Sequence, residues 1–404
     1  MERVAIIGAS HAGVQSAASL RERGFMGSVT LLGAENRAPY HRPPLSKAFL
    51  KDGTAPQELR SAAFFADKEI GFRPGVAATA IDTAGGQLTC ADGTQIAFDG
   101  LVYAAGSRVR RLPGVSEQLA NVHYLKDMAD GERLAANLRD GAKIVVIGGG
   151  FIGLEVAATA AGRGCHVTVL EMGQQLMGRA VSRDVAAHFT AYHESLGIDV
   201  RLECGFADLD VADDAARAVI TTAGDAIAAD AVLVGIGVLP NAELAEAAGL
   251  DVENGVLVDD RLRSSHPCVV AIGDCANVAQ PDGTRVRLES VQAATDQAKH
   301  AAGTLMGDDR PYTQVPWFWS DQGSQKLQMA GLWPRSSTQI VRGDQPGGAF
   351  SVWHMDGEQF AGVEAVNMPA DYMLARRLLE KGIVPTRDQL IDPAANLKAL
   401  LKAR

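Results

Sequence analysis

Ile144-Val145-Val146-Ile147-Gly148-Gly149-Gly150-Phe151-Ile152-Gly153 is an unbroken apolar run closed by glycines. The run suits a strand buried on both faces, as in a parallel sheet, and the Ala-rich stretch from Leu154 to Arg163 is compatible with a following helix. Strand, glycine turn, helix is the unit in which a helix N-terminus receives a pyrophosphate. The same order occurs near the start of the chain, in Val4-Ala5-Ile6-Ile7-Gly8-Ala9-Ser10-His11-Ala12-Gly13 followed by Val14 to Arg23. An internal echo of this kind marks two copies of one device.

Each copy continues into a second strand with an acid beyond it. Val167 to Leu170 leads to Glu171, and Val29 to Leu32 leads to Glu35, which lies past Gly33. A carboxylate at that ~20-residue offset accepts hydrogen bonds from an adenosine ribose. Gly148, Gly150, Gly153 and Glu171 therefore form one expected dinucleotide site, and Gly8, Ser10, Gly13 and Glu35 the other. Ser10 replaces the middle glycine, and its side chain is small enough for a pyrophosphate to pass. Two sites in one chain suggest a resident cofactor and a visiting one, with a hydride passed between them. Val269-Val270-Ala271-Ile272-Gly273-Asp274 is a late buried strand returning to the first domain, and Asp274 at its end is placed either to bind the ribityl hydroxyls of a flavin or to cap a helix. Leu101 to Gly106 is another strand ending in small residues.

Composition removes several classes. A chain of 404 residues with 47% hydrophobic content buries more than one core. No apolar run reaches the length of a membrane span, and Met1 to Gly8 leads directly into a strand rather than through a signal peptide, so a cytoplasmic protein is expected. A net charge of -10 argues against nucleic acid as a ligand. It leaves open an acidic protein partner met by a local basic patch. The five cysteines are scattered and never in C-x-x-C spacing, which predicts structural thiols rather than disulfides or a metal site.

Further segments make the reading specific. Pro39-Tyr40-His41-Arg42-Pro43-Pro44-Leu45-Ser46-Lys47, Val146 to Ala157, Gly235-Ile236-Gly237 with Pro240-Asn241, Ile272-Gly273-Asp274-Cys275, Glu289-Ser290-Val291 and Pro316-Trp317-Phe318-Trp319-Ser320-Asp321-Gln322 run the length of the chain. With them the sequence resembles the FAD-containing NADH:ferredoxin reductases of bacterial oxygenase systems. The resemblance implies FAD and NADH as cofactors and a small [2Fe-2S] ferredoxin as partner. It implies that Arg42 and Lys47 lie beside the flavin, that Ala78 and Ala105 pass near its adenosine and pyrophosphate, and that Asp274 holds the ribityl chain. Val291 joins the FAD set, as does Lys126, although relatives commonly carry arginine there. Arg179 and Gly237 join the NADH set. Glu155 is implied to face the nicotinamide and to pair with Lys47, and Trp319 to stand where electrons leave.

Read physically, the same residues are less sharp. Pro43-Pro44 is a stiff wall or an ordinary loop, and Lys47 a stabiliser of an anionic reduced ring or a surface lysine. Glu155 also suits a carboxylate favoured by a helix dipole on the first turn, and Trp317 and Trp319 share one strand face suited to packing. The fold class is α/β: two Rossmann-like dinucleotide-binding domains, one inserted in the other, plus a C-terminal α+β domain. The boundaries expected are 1–111 and 240–314 for FAD, 112–239 for NADH, and 315–404 for the C-terminal domain. Alternatives are a redox-sensing module that uses bound NADH and FAD to choose partners, or an NADH oxidase-type flavoenzyme. A thiol relay needs a cysteine near the flavin, and none occurs between Gly8 and Arg73.

Overall fold

The computed structural model describes residues 1–116, 118–392 and 394–402, and contacts divide the chain into two units. The first comprises Met1–His41, Pro56–Arg108 and Val238–Gln314. Its centre is a five-stranded parallel sheet in the order Val269–Ala271, Gly100–Tyr103, Arg3–Ile7, Ser28–Gly33, Ile70–Pro74. Ile7 stands in register with Leu32 on one side and Tyr103 on the other, so the strands end level where the Gly8 turn begins. Val4, Ile6, Leu31, Leu101, Val102 and Val269 are buried, each contributing ~1.5–3 kcal/mol. The helices His11–Glu22 and Val291–Leu305 pack on one another, and their buried alanines, Ala17 on one and Ala294, Ala298, Ala301 and Ala302 on the other, share one core. Side chains that small let two helix backbones approach closely beside the glycine turn.

The second unit comprises Arg42–Ala55, Val109–Gly237 and Val315–Arg404. It holds its own parallel sheet, ordered Asp199–Arg201, His166–Leu170, Lys143–Ile147, Ala231–Val234, Val122–His123. The helices Phe151–Gly162 and Arg183–Ser195 flank it. Phe206–Ala212, Ala215–Thr221 and Ala226–Ala228 form a small antiparallel sheet. A five-stranded antiparallel sheet completes the unit, ordered Trp317–Gln322, Gln325–Gly331, Gln359–Val366, Ala349–Asp356, Thr338–Asp344, with the helix Pro369–Glu380 against it. Leu327, Phe350, Val352 and Val366 of this sheet share a core with Val146, Val156 and Phe189 of the nucleotide-binding part.

The α/β reading of the sequence therefore holds, with two parallel sheets each opening with a glycine turn and an antiparallel sheet at the C-terminal end. Both glycine-turn helices begin three residues earlier than their Ala-rich stretches, at His11 and Phe151, which puts Gly13 and Gly153 inside the helices. Among the described residues, no helix is long and apolar enough to cross a membrane.

Candidate functional site

The glycine turn of the second unit is shaped by backbone demands. Gly148 has φ +106°, where L side chains are strained, and a Cβ there would stand 2.5 Å from the Gly235 carbonyl oxygen. A Cβ on Gly153 would lie 2.4 Å from the Gly148 carbonyl, so that glycine sets the close seating of helix on turn. Gly150 is different. A Cβ there would meet only the Gly235 oxygen, at 3.9 Å, so nothing in the protein requires glycine at this N-cap position. An unfilled space in front of a 12-residue helix, with no side-chain cap and no acid in its first turn, suits a phosphate approaching the backbone N–H groups.

Glu171 ends the neighbouring strand and bridges the turn. Its Oε2 accepts the Gly149 N–H at 2.9 Å and its Oε1 the Gly173 N–H at 2.7 Å. Arg179 reaches across to Gly237, its guanidinium 3.7 Å from where a Cβ on that glycine would be. Gly148, Gly150, Gly153, Glu171, Arg179 and Gly237 thus line one end of one sheet.

Glu155 lies in the second turn of the helix, not the first, and is 3% exposed. A helix-dipole role is therefore displaced by direct partners. Lys47 Nζ reaches its Oε2 at 2.6 Å, Ser46 donates to the same oxygen at 2.5 Å, and Ser320 donates to Oε1 at 2.7 Å. The segment carrying Ser46 and Lys47 is laid along one helix face by residues spaced four apart. Below Glu155, Thr159 donates to the Ser46 carbonyl at 3.0 Å, and Arg163 donates to the Leu50 carbonyl at 2.6 Å. Because Glu155 is enclosed, removing Lys47 is costly, ~3–5 kcal/mol, as the remaining charge is stranded. Lys47 is thereby a half-buried partner of the enclosed Glu155, not a free surface lysine.

Arg42 donates to the Lys126 carbonyl at 2.7 Å, and the Lys126 N–H is held by Asp130, so these two expected residues are neighbours through the main chain. Trp319 is half-buried beside Trp317, ring centroids 5.6 Å apart, on the strand face opposite Ser320. Arg111 lies over the Tyr124 ring, 4.9 Å from its centroid.

In the first unit the turn repeats the design. Gly8 has φ +104°, and a Cβ would stand 2.1 Å from the Ala104 carbonyl oxygen. Ser10 occupies the N-cap position with extended backbone. Glu35 sits beyond its strand, and the Tyr40 hydroxyl donates to its Oε2 at 2.8 Å. Asp274 is in a short 3-10 turn followed by the strand Ala276–Ala279, so it caps no α-helix. Its Oδ2 accepts from Ser107 at 2.6 Å. Ala105 gives its carbonyl to Asn241 Nδ2 at 2.9 Å, Ala78 opens an edge strand, and Val291 opens the helix capped by Ser290. The residues fit a dinucleotide in the same way here: a helix N-terminus without a side-chain cap, an acid beyond the second strand and an aspartate near the strand ends. Arg108, in this unit, is ion-paired with Glu243 at 2.5 Å and is not a bare surface charge.

Ser46, Ser320, Ser107 and Tyr40 are not singled out by the sequence reading, although each holds one of the carboxylates it names. The signal available for Ser320 was strand parity: polar Ser320 and Gln322 alternate with Trp317 and Trp319. All five cysteines are free thiols. Cys275, beside Asp274, is fully enclosed, and burial pushes its thiol up to about 12, which leaves no thiolate to relay electrons.

Residues 2–298 match the pyridine nucleotide-disulphide oxidoreductase family and residues 317–401 the reductase C-terminal family. The chain is 44% identical to rhodocoxin reductase of Rhodococcus erythropolis over 398 residues, 98% of this chain and 93% of that protein. The ferredoxin reductase for the CYP199A2 system of Rhodopseudomonas palustris superposes with a TM-score of 0.96 at 39% identity, covering 99% of each chain. The reductase of the covalent putidaredoxin reductase-putidaredoxin complex gives a TM-score of 0.96 at 35% identity, covering 100% of this chain and 98% of that one.

Proposed function

The chain belongs to the pyridine nucleotide-disulphide oxidoreductase family, and from that membership we propose that it is an FAD-dependent NADH:ferredoxin reductase serving an oxygenase such as a cytochrome P450 or a ring-hydroxylating dioxygenase. The observation that carries the reading is the pairing of half-buried Lys47 with the enclosed Glu155 beside a complete dinucleotide turn, in a chain whose cysteines are all unpaired thiols. Without a disulfide to receive electrons, an external carrier must take them.

Bound FAD supplies the conversion of a two-electron hydride donor into single electrons. The chain's residues do the rest. Gly8, Ser10 and Gly13 admit its pyrophosphate, Glu35 its adenosine ribose and Asp274 its ribityl chain, with Ala78, Ala105 and Val291 giving backbone contact. Gly148, Gly150 and Gly153 receive the NADH pyrophosphate, Glu171 its ribose, and Arg179 and Gly237 close over it. Glu155 faces the nicotinamide and is held by Lys47. Arg42, Lys47 and Lys126 serve the flavin, and Trp319 serves the exit of electrons to a small [2Fe-2S] ferredoxin. We assign residues 1–111 and 240–314 to FAD binding, 112–239 to NADH binding and 315–404 to a C-terminal domain, and place the protein in the cytoplasm.

The test is reconstitution of the purified holoenzyme with NADH and a panel of small ferredoxins and rubredoxins. Rapid reduction of at least one [2Fe-2S] carrier is expected. Reduction of none, with oxygen consumed to peroxide at the full rate of NADH oxidation, would replace the reading with that of an oxidase.

A further inference from the structure

We propose that Ser320 and Gln322 are positioning residues for hydride donation by NADH, orienting Glu155 through a one-way chain of hydrogen-bond donors that begins at His193. The inference rests on the reading of Glu155 as the carboxylate that faces the nicotinamide.

The chain is continuous and enclosed. Ser320, Gln322 and His193 are each 0% exposed. On the strand Trp317–Gln322, alternate residues turn toward the helix Phe151–Gly162. Phe318 meets the Phe151 ring at 4.6 Å, and Ser320 meets Glu155, one helical turn further on. Gln322 continues the row and meets His193 Nε2 at 2.8 Å through its Oε1. Gln322 Nε2 points back, to Ser320 Oγ at 3.3 Å and Met177 Sδ at 3.4 Å. A packed strand face would ordinarily continue Phe318 with apolar residues, because a buried amide or hydroxyl costs free energy unless it is hydrogen-bonded. Here two polar residues in succession are buried and joined.

Direction follows from the end that can only accept. An ionised carboxylate accepts, so Ser320 donates to Glu155. Its oxygen then accepts from the Gln322 amide, whose own oxygen is left to accept from His193. His193 must therefore carry its proton on Nε2. Its Nδ1 is buried with no hydrogen-bond partner, a cost the fold accepts at the head of the chain. Burial also holds the His193 pKa below its ordinary value, which keeps the ring neutral and the tautomer meaningful. Donors aligned in one sense polarise one another, so loss of a remote member loosens the last bond. Ser46 and Lys47 both act on Oε2, and among the described residues Ser320 is the one donor to Oε1. Removing it frees the carboxylate to rotate while its ion pair survives.

The experiment uses the holoenzyme and its Ser320→Ala, Ser320→Thr, Gln322→Leu and Glu155→Gln variants. Stopped-flow gives the limiting rate of flavin reduction by NADH, calorimetry the dissociation constant of NAD+, scanning calorimetry the melting temperature, and 15N-histidine NMR the His193 tautomer. Ser320→Ala is expected to slow the limiting rate roughly tenfold, with NAD+ binding changed by less than about twofold, the signature of a lost orientation rather than lost affinity. Ser320→Thr should restore the rate, Gln322→Leu should slow it about threefold, and His193 should be protonated on Nε2. The inference is overturned if Ser320→Ala reduces at the parental rate while Glu155→Gln is slow, or if rate and melting temperature fall together without rescue by threonine. An Nδ1-protonated His193 overturns the direction of the chain. If Glu155→Gln itself reduces at the parental rate, the reading of Glu155 has failed instead.

Discussion

Replacing Glu171 with glutamine tests what the second glycine turn is built to recognise. The carboxylate is held by the N–H groups of Gly149 and Gly173 and so is fixed at the strand end, where the proposed NADH site puts the adenosine ribose. NADPH brings a 2'-phosphate to that place. At ~4 Å and an effective dielectric near 20, each unit of like charge costs about 4 kcal/mol before screening. Glu171 is only half-buried, and Arg179 beside Gly237 offers a compensating charge. Discounting for both leaves about 2–3 kcal/mol, a preference for NADH of roughly 30- to 150-fold in kcat/KM. Glu171→Gln keeps one of the two backbone hydrogen bonds and removes the charge. The NADH:NADPH ratio should fall to within about tenfold, mostly through a gain with NADPH, because the repulsion disappears while NADH loses a single hydrogen bond. The assay is steady-state oxidation of both nucleotides with ferricyanide as acceptor, which keeps the ferredoxin out of the measurement. A parental enzyme that uses both equally, or a ratio unmoved by the substitution, refutes the reasoning and transfers specificity to another residue.

Lys47→Met strands the Glu155 carboxylate in the core and should cost ~3–5 kcal/mol of stability, while Lys47→Met with Glu155→Gln recovers most of it; chemical denaturation of the two variants decides this. Asp274→Ala removes the acceptor of the Ser107 hydroxyl and the carboxylate proposed to bind the ribityl chain, and should weaken FAD retention roughly tenfold in an equilibrium-dialysis measurement, with the fold unchanged by circular dichroism. His123 is 3% exposed, and burial with the nearby Arg133 lowers its pKa from 6.5 to about 4. On acidification the unfolded chain takes up this proton first, so stability falls between pH 6.5 and about 4 and levels off below, by 2.5 units at ~1.36 kcal/mol each, on the order of 3 kcal/mol. His123→Leu should flatten that part of the denaturation profile, and an unchanged slope would place the acid sensitivity elsewhere.

What could be read from the sequence and what could not divide along a physical line. Gly8 and Gly148 were legible because a positive φ and a carbonyl within bonding distance of any added Cβ leave one residue type, whatever surrounds them. The strands before them were legible for a similar reason, since a sheet covered on both faces needs an unbroken apolar run. Glu155 carried no such constraint. A carboxylate near a helix start satisfies the dipole equally well, and its burial is set by Lys47, 108 residues away, and Ser320, 165 residues away. Only the family resemblance supplied the first partner, and the second went unread, because a serine in a strand has the same local meaning whether it faces solvent or a buried charge. Arg108 shows the same limit at the surface: it is exposed, and its pairing with Glu243, 135 residues on, is written in neither residue alone. Local backbone geometry writes itself into residue type, whereas a buried polar network writes itself only into pairs. The polar parity of Ser320 and Gln322 on an aromatic strand named no partner, and the row through His193 gained a direction only once the acceptor-only carboxylate at its end was in place.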